Sequence, residues 1–107
     1  MKDVPAILDR YVAATNAHDI AGLSSCFSPD AVVRDEGKTY RGPAEIRGWK
    51  EDVTKRYKIT NTPLDYKWQG ETLAARMRVE GNFPGSPAEL TYLLEFKDGL
   101  ISSFRVA

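Results

Sequence analysis

Apolar side chains recur at helical three- and four-residue steps in the first half of the chain, and from Leu64 onward they alternate with polar ones. Val4, Ile7, Leu8, Tyr11 and Val12 predict a first helix, with Asp3 and Pro5 as start signals. Asp19 is placed to cap a short second helix that carries Ile20, Leu23 and Phe27 inward and stops at Ser28-Pro29-Asp30. Ala31 to Asp35 reads as a strand that turns through Glu36-Gly37-Lys38 into the short strand Thr39 to Arg41. Gly42-Pro43 and Glu45 open a third helix whose stripe is Ile46, Trp49, Val53 and Tyr57. Gly48 weakens that helix unless close packing against the sheet requires it.

The second half then reads as sheet. Leu64, Tyr66 and Trp68 form one inward row, Leu73, Ala75, Met77 and Val79 a second, and Ala88, Leu90, Tyr92, Leu94 and Phe96 a third. Gln69-Gly70-Glu71 and Lys97-Asp98-Gly99 make hairpin turns, and Leu100 to Val106 is a closing strand. The Gly- and Pro-rich segment Gly81 to Pro87 is a loop or a bulged crossing. Helices first and a meander later give an α+β class: about six strands in a curved antiparallel sheet, with three helices from the N-terminal half packed on it.

Composition narrows the function classes. The chain has 107 residues, the expected size of one domain, and its 15 basic residues balance 15 acidic ones. No net field draws it to nucleic acid or to an anionic membrane. No stretch reaches the length of a membrane span, and Met1 to Pro5 has no apolar core behind it, so a cytoplasmic location is expected. Cys26 is alone and reads as a small apolar residue of the second helix.

One histidine, one cysteine and scattered acids offer none of the usual metal-ligand spacings, and no Gly-rich loop leads from a strand into a helix. Neither a metal nor a cofactor is expected.

The order of elements, with the runs Tyr11-Val12, His18-Asp19-Ile20, Ser28-Pro29-Asp30-Ala31-Val32-Val33, Tyr40-Arg41-Gly42-Pro43-Ala44-Glu45-Ile46 and Lys97-Asp98-Gly99-Leu100-Ile101, resembles the SnoaL-like branch of the nuclear transport factor 2-like superfamily. The resemblance spans essentially the whole chain. It implies a cone-shaped, cystatin-like α+β barrel with a pocket at its open end, often a homodimer through the outer face of the sheet. Members include ketosteroid isomerases, polyketide cyclases, dehydratases, epoxide hydrolases and non-catalytic transport factors, so the resemblance specifies fold more than activity.

Asp35 is the leading candidate for chemistry. Ala31, Val33 and Asp35 share one face of a strand, so a core-facing pair of small residues carries the carboxylate inward with it. Burial would make that carboxylate a stronger base toward a proton next to a carbonyl. By resemblance, Asp35 falls at the general base of the ketosteroid isomerases, and Tyr11 at their oxyanion-donating tyrosine. Tyr92 stands where those isomerases carry a second, protonated carboxyl, a departure that argues against steroid-type chemistry. The plainer reading keeps Asp35 in a solvated turn and makes Tyr11 and Tyr92 core aromatics.

Trp49, Tyr66, Trp68, Met77, Phe83 and Phe104, with Val33 beside Asp35, are the candidates to line an apolar pocket or else to fill the core. His18 reads as a helix-terminal or surface residue, and a single histidine excludes the paired histidines that the resemblance associates with dehydratases. Arg76 and Arg78 fall on the outer face, which leaves no Asp-Arg-Asp relay of the epoxide hydrolase kind. Two readings follow: a cofactor-independent isomerase- or cyclase-type enzyme acting on a small hydrophobic carbonyl compound, and a non-catalytic ligand-binding or dimerisation domain.

Overall fold

The first strand and the last run side by side and parallel, and that pairing sets where the open end of the sheet lies. A computed structural model describes residues 3–107. Met1 and Lys2, part of the N-terminal stretch considered above, lie outside them. The elements are α1 (Ile7–Asn16), α2 (Ile20–Ser24), β1 (Phe27–Asp35), β2 (Lys38–Arg41), α3 (Gly42–Tyr57), β3 (Thr60–Gln69), β4 (Thr72–Glu80), β5 (Ala88–Lys97) and β6 (Leu100–Val106). One six-stranded curved sheet has the order β2-β1-β6-β5-β4-β3. Four of its pairings are antiparallel, as expected from the hairpins, whereas β1 pairs parallel to β6. The intervening α3 and meander supply the long connection that a parallel pair needs.

The buried faces of α1 and α3 follow the stripes their sequences specify, whereas α2 buries Leu23 and leaves Ile20 half-buried. Ile7, Leu8, Tyr11 and Thr15 of α1 are buried, but Val4 lies before the helix and is 38% exposed, so it does not join that face. Asp19 caps α2 by accepting from the Gly22 amide at 3.0 Å. Glu45 accepts from the Arg41 amide at 2.9 Å at the start of α3, and Lys55 and Arg56 occupy its last turn, both favourable to the helix dipole.

Three expectations change. Phe27 and Ser28-Pro29-Asp30 do not end α2; they open β1, where the register slips between Phe27 and Val32 and gives Pro29 and Asp30 an irregular, exposed stretch. Cys26 is buried in the turn after α2, not in a helix. Leu64 is 41% exposed because a bulge between Pro63 and Asp65 inserts it without a partner on β4, while Tyr66 and Trp68 keep inward register opposite Ala75 and Leu73.

Gly81 to Pro87 is a loop. A Cβ at Gly81 would sit 2.7 Å from the Tyr57 carbonyl oxygen, which accepts the Asn82 amide at 2.8 Å, so glycine permits the close approach that pins this loop to the end of α3.

Gly48 has no such reason. It is exposed, and a Cβ there would meet open space, so packing against the sheet does not explain it. Gly48→Ala should therefore raise unfolding free energy by about 0.5–1 kcal/mol in urea titration; a loss of stability would show that the helix needs the glycine.

Candidate functional site

The open end of the sheet is walled by the ends of several elements: Asp35 and Glu36 after β1, one face of α3, Val79 of β4, Leu90 and Tyr92 of β5, and Phe104 and Val106 of β6. Phe83 and Pro84 of the pinned loop complete the rim. The cavity they enclose is about 430 Å³, within the range of small-molecule sites, and its walls are mostly apolar.

Asp35 comes to this wall because β1 ends there. Glu36 and Gly37 both adopt positive φ, 53° and 74°, in a tight turn that returns the chain to Lys38. The carboxylate is half-buried, and its Oδ2 accepts the indole N–H of Trp49 at 3.0 Å. Trp49 in turn packs on Phe104, with ring centroids 5.3 Å apart, so a rigid aromatic holds the acid in place. Next along the turn, Glu36 is tied to Arg56 at 3.1 Å, and Arg56 also bonds the Tyr57 hydroxyl at 2.7 Å, which clasps the β1–β2 turn to the last turn of α3.

Of the two tyrosines, only Tyr92 reaches the cavity wall. Its hydroxyl donates to Asn61 Oδ1 at 3.1 Å, and Asn61 is held in turn by the Asn16 side chain, whose oxygen accepts the Asn61 amide at 2.7 Å. Burial pushes the Tyr92 phenol well above its ordinary pKa, the hydrogen bond it donates to Asn61 opposing and the Asp35 charge reinforcing the shift. Tyr11 sits behind the wall, fully buried among Phe27, Tyr92 and Phe104. Thr15 lies on the same helix face, one turn on, yet neither hydroxyl has a hydrogen-bond partner among the described residues. Burial, above all, raises the Tyr11 pKa as well.

Several expected pocket residues lie elsewhere. Trp49, Phe83 and Phe104 line the cavity, but Val33, Tyr66, Trp68 and Met77 do not. Val33 and Met77 are fully buried in the core. Tyr66 and Trp68 lie on β3 away from the cavity; Trp68 packs edge-on to Phe96, and Tyr66 feels the charge of Asp9 on α1. His18 adopts φ 54° after α1 and hydrogen-bonds the Ile59 carbonyl at 3.1 Å, remote from Asp35 in role. Arg76 bridges Asp65 and Glu89 on the outer face, and Arg78 pairs with Glu80. Among the described residues no group of three or more acids, histidines or cysteines could hold a metal.

The residue that sequence reasoning passed over is Lys50. It is 3% exposed, lines the cavity, and its Nζ lies 4.4 Å from the centroid of the Trp49 ring and 5.2 Å from that of Tyr11. A signal was present. Position 50 is four residues after Ile46 and three before Val53, so a lysine stands on the stripe that α3 buries. Burial lowers its pKa from 10.5 to about 8, with the Asp35 charge pulling the other way.

The chain matches the family model described as SnoaL-like domain over residues 8–104. It belongs to the SnoaL-like family. A candidate polyketide cyclase from Sinorhizobium meliloti is 37% identical to this SnoaL-like chain, with a TM-score of 0.91 over 98% of this chain and 96% of that one. A protein of ketosteroid isomerase-like fold from Catenulispora acidiphila, solved with trimethylamine, gives 21% identity and 0.83 over 98% and 86%. The Δ5-3-ketosteroid isomerase from a Mycobacterium species gives 18% and 0.80 over 97% and 93%; both of these show the fold. Comparison with curated proteins finds no significant match.

The buried lysine makes stability depend on pH with a definite sign. Between about pH 8 and 10.5 the unfolded chain keeps the Lys50 proton while the folded chain has released it, so stability is depressed below pH 8 and recovers as pH rises through that window. Lys50→Met should therefore be more stable than the parent near pH 7, by up to about 3 kcal/mol, and the gap should narrow toward pH 10. Urea unfolding of both proteins across that range checks it. Asp35, Tyr11 and Tyr92, which face Lys50 from β1, α1 and β5, are common to both, and a gap independent of pH would contradict the assignment.

Proposed function

We propose that this SnoaL-like chain is a cofactor-independent enzyme of the isomerase or cyclase type, which uses Asp35 to move a proton on a small hydrophobic carbonyl compound. The observation that carries this reading is a carboxylate on the wall of a largely apolar cavity of about 430 Å³, oriented by the Trp49 indole at 3.0 Å. A base so placed is shielded on one side by aromatic rings and open on the other to a ligand, the arrangement general base catalysis requires. A relative assigned to polyketide cyclisation at 37% identity supports the same class of substrate, a molecule rich in carbonyl groups with acidic neighbouring C–H bonds.

The other half of the reaction needs a donor for the developing enolate oxygen. Tyr92 is the phenol at the wall, a neutral O–H at physiological pH that burial keeps protonated to still higher pH, and it serves as that donor by turning its O–H from Asn61 to the ligand. Tyr11 supports it from behind by packing. Asp35→Asn should lower kcat by about 10²–10⁴-fold with the melting temperature nearly unchanged, read from turnover of a β-keto ester panel and thermal unfolding. Undiminished turnover in that variant would remove Asp35 from the mechanism.

A second copy of the chain is the proposed partner, joined through the outer face of the sheet. There Ala74 is 8% exposed and Thr91 and Leu93 are half-buried, while Arg76 already satisfies Asp65 and Glu89 within the chain. The charges on that face thus need no partner to be paired, and association would rest on the small apolar strip beside them. Sedimentation velocity should give a dimer at micromolar concentration that Leu93→Glu converts to monomer; a monomer throughout would discard the interface.

A further inference from the structure

We propose that Lys50 is a second reactive group of the cavity, an amine that condenses with a hydrophobic aldehyde or ketone to form an imine. The inference deepens the function proposed above by sharing its carbonyl substrate class, and it does not require Asp35 to act as the base.

Three observations place the amine for this. The Lys50 side chain is buried and lines the same cavity as Asp35, Trp49 and Tyr92, so a ligand in that space lies against it. No carboxylate forms an ion pair with it among the described residues; the described ion pairs all involve arginine or Lys97. By contrast Lys38, Lys55, Lys58, Lys67 and Lys97 are exposed, where water holds the ammonium form. A lysine desolvated in an apolar pocket is the usual way a protein makes this amine nucleophilic at neutral pH.

The step balances without oxidation or reduction. The Nζ lone pair attacks the carbonyl carbon and forms the C–N bond, while the carbonyl π electrons move to oxygen, which takes a proton from nitrogen. A proton from solvent on that oxygen lets it leave as water as the C=N bond forms, which gives the iminium cation directly. Release of the remaining N–H proton to solvent gives the neutral imine, so one amine and one carbonyl become one imine and one water with no net change in protons. The Trp49 ring, 4.4 Å from Nζ, then faces that cation with its electron-rich surface. The same indole holds Asp35 through its N–H at 3.0 Å, which keeps a proton acceptor on the wall of the same cavity.

The test is reductive trapping on the full chain. The protein is incubated at pH 7.5 with benzaldehyde and sodium cyanoborohydride, which converts an imine into a stable benzylamine, and the modified lysines are located by peptide mass spectrometry. Lys50 should be labelled at least about ten-fold faster than any of Lys38, Lys55, Lys58, Lys67 and Lys97, with a rate that climbs as pH rises toward about 8. Lys50→Met should lose the fast label. Labelling of Lys50 at or below the rate of the exposed lysines overturns the proposal, and this comparison within the parent protein decides the matter even if the Met variant folds poorly. The two readings separate cleanly: the adduct should persist in Asp35→Asn if only the base assignment fails, whereas the turnover loss in Asp35→Asn should persist if only the imine fails.

Discussion

The ring of Phe104 is the contact on which the arrangement turns. It meets Tyr11 of α1 at 5.7 Å, Phe27 of β1 at 6.5 Å, Trp49 of α3 at 5.3 Å and Tyr92 of β5 at 4.8 Å between centroids. One side chain from the last strand therefore joins two helices and two other strands, and burial of such a ring is worth about 2–3 kcal/mol before any directional preference among the aromatics. Its position follows from the parallel pairing of β1 with β6, which sets Phe104 opposite Val33 and brings the end of β1 to the same rim as the end of β6. Without that pairing, Asp35 and the far end of the meander would have no common boundary.

A hydrophobic hub of this kind fixes polar groups indirectly. Trp49 is held by Phe104 and Tyr40 on its faces and edges, and its remaining polar atom, the indole N–H, is directed to Asp35. Lys50 follows Trp49 in the chain and is buried with it. Two adjacent residues of one helix thus direct a hydrogen-bond donor to a carboxylate from a different element and place an amine in the same, mostly apolar cavity. The electrostatic consequence is mutual: Asp35 raises the pKa of Lys50 against the larger effect of burial, and raises those of Tyr11 and Tyr92 in the same direction as burial.

Much of this was legible from residue spacing, and the parts that were not have identifiable causes. Helical stripes at Ile7, Leu8, Tyr11 and at Ile46, Trp49, Val53 read correctly because each of those helices has one buried face, and the row Leu73 to Val79 read correctly because β4 is paired on both sides and buried on its inner face. Leu64 misled because a bulge breaks a two-residue period without leaving a mark in composition. Phe27 misled because an apolar residue four positions after Leu23 fits a helix as well as a strand start. The parallel pairing was invisible because it joins residues at opposite ends of the chain. At the site, Asp35 and Trp49 could each be singled out, but their hydrogen bond could not. Tyr66 and Trp68 were assigned to the pocket because alternation reports which face of a sheet a residue occupies, not where along the strand the cavity ends.

The loop that bears Phe83 and Pro84 is fastened at its own base, through Asn82 to the Tyr57 carbonyl and through Gly81 to the Ser86 hydroxyl at 3.0 Å. Its two cavity residues stand apart from the aromatic hub, and Phe83 leans on Tyr57 rather than on Phe104. Substitutions within this one cassette can consequently reshape the rim of the cavity while leaving the aromatic cluster around Phe104 and the Trp49–Asp35 hydrogen bond in place.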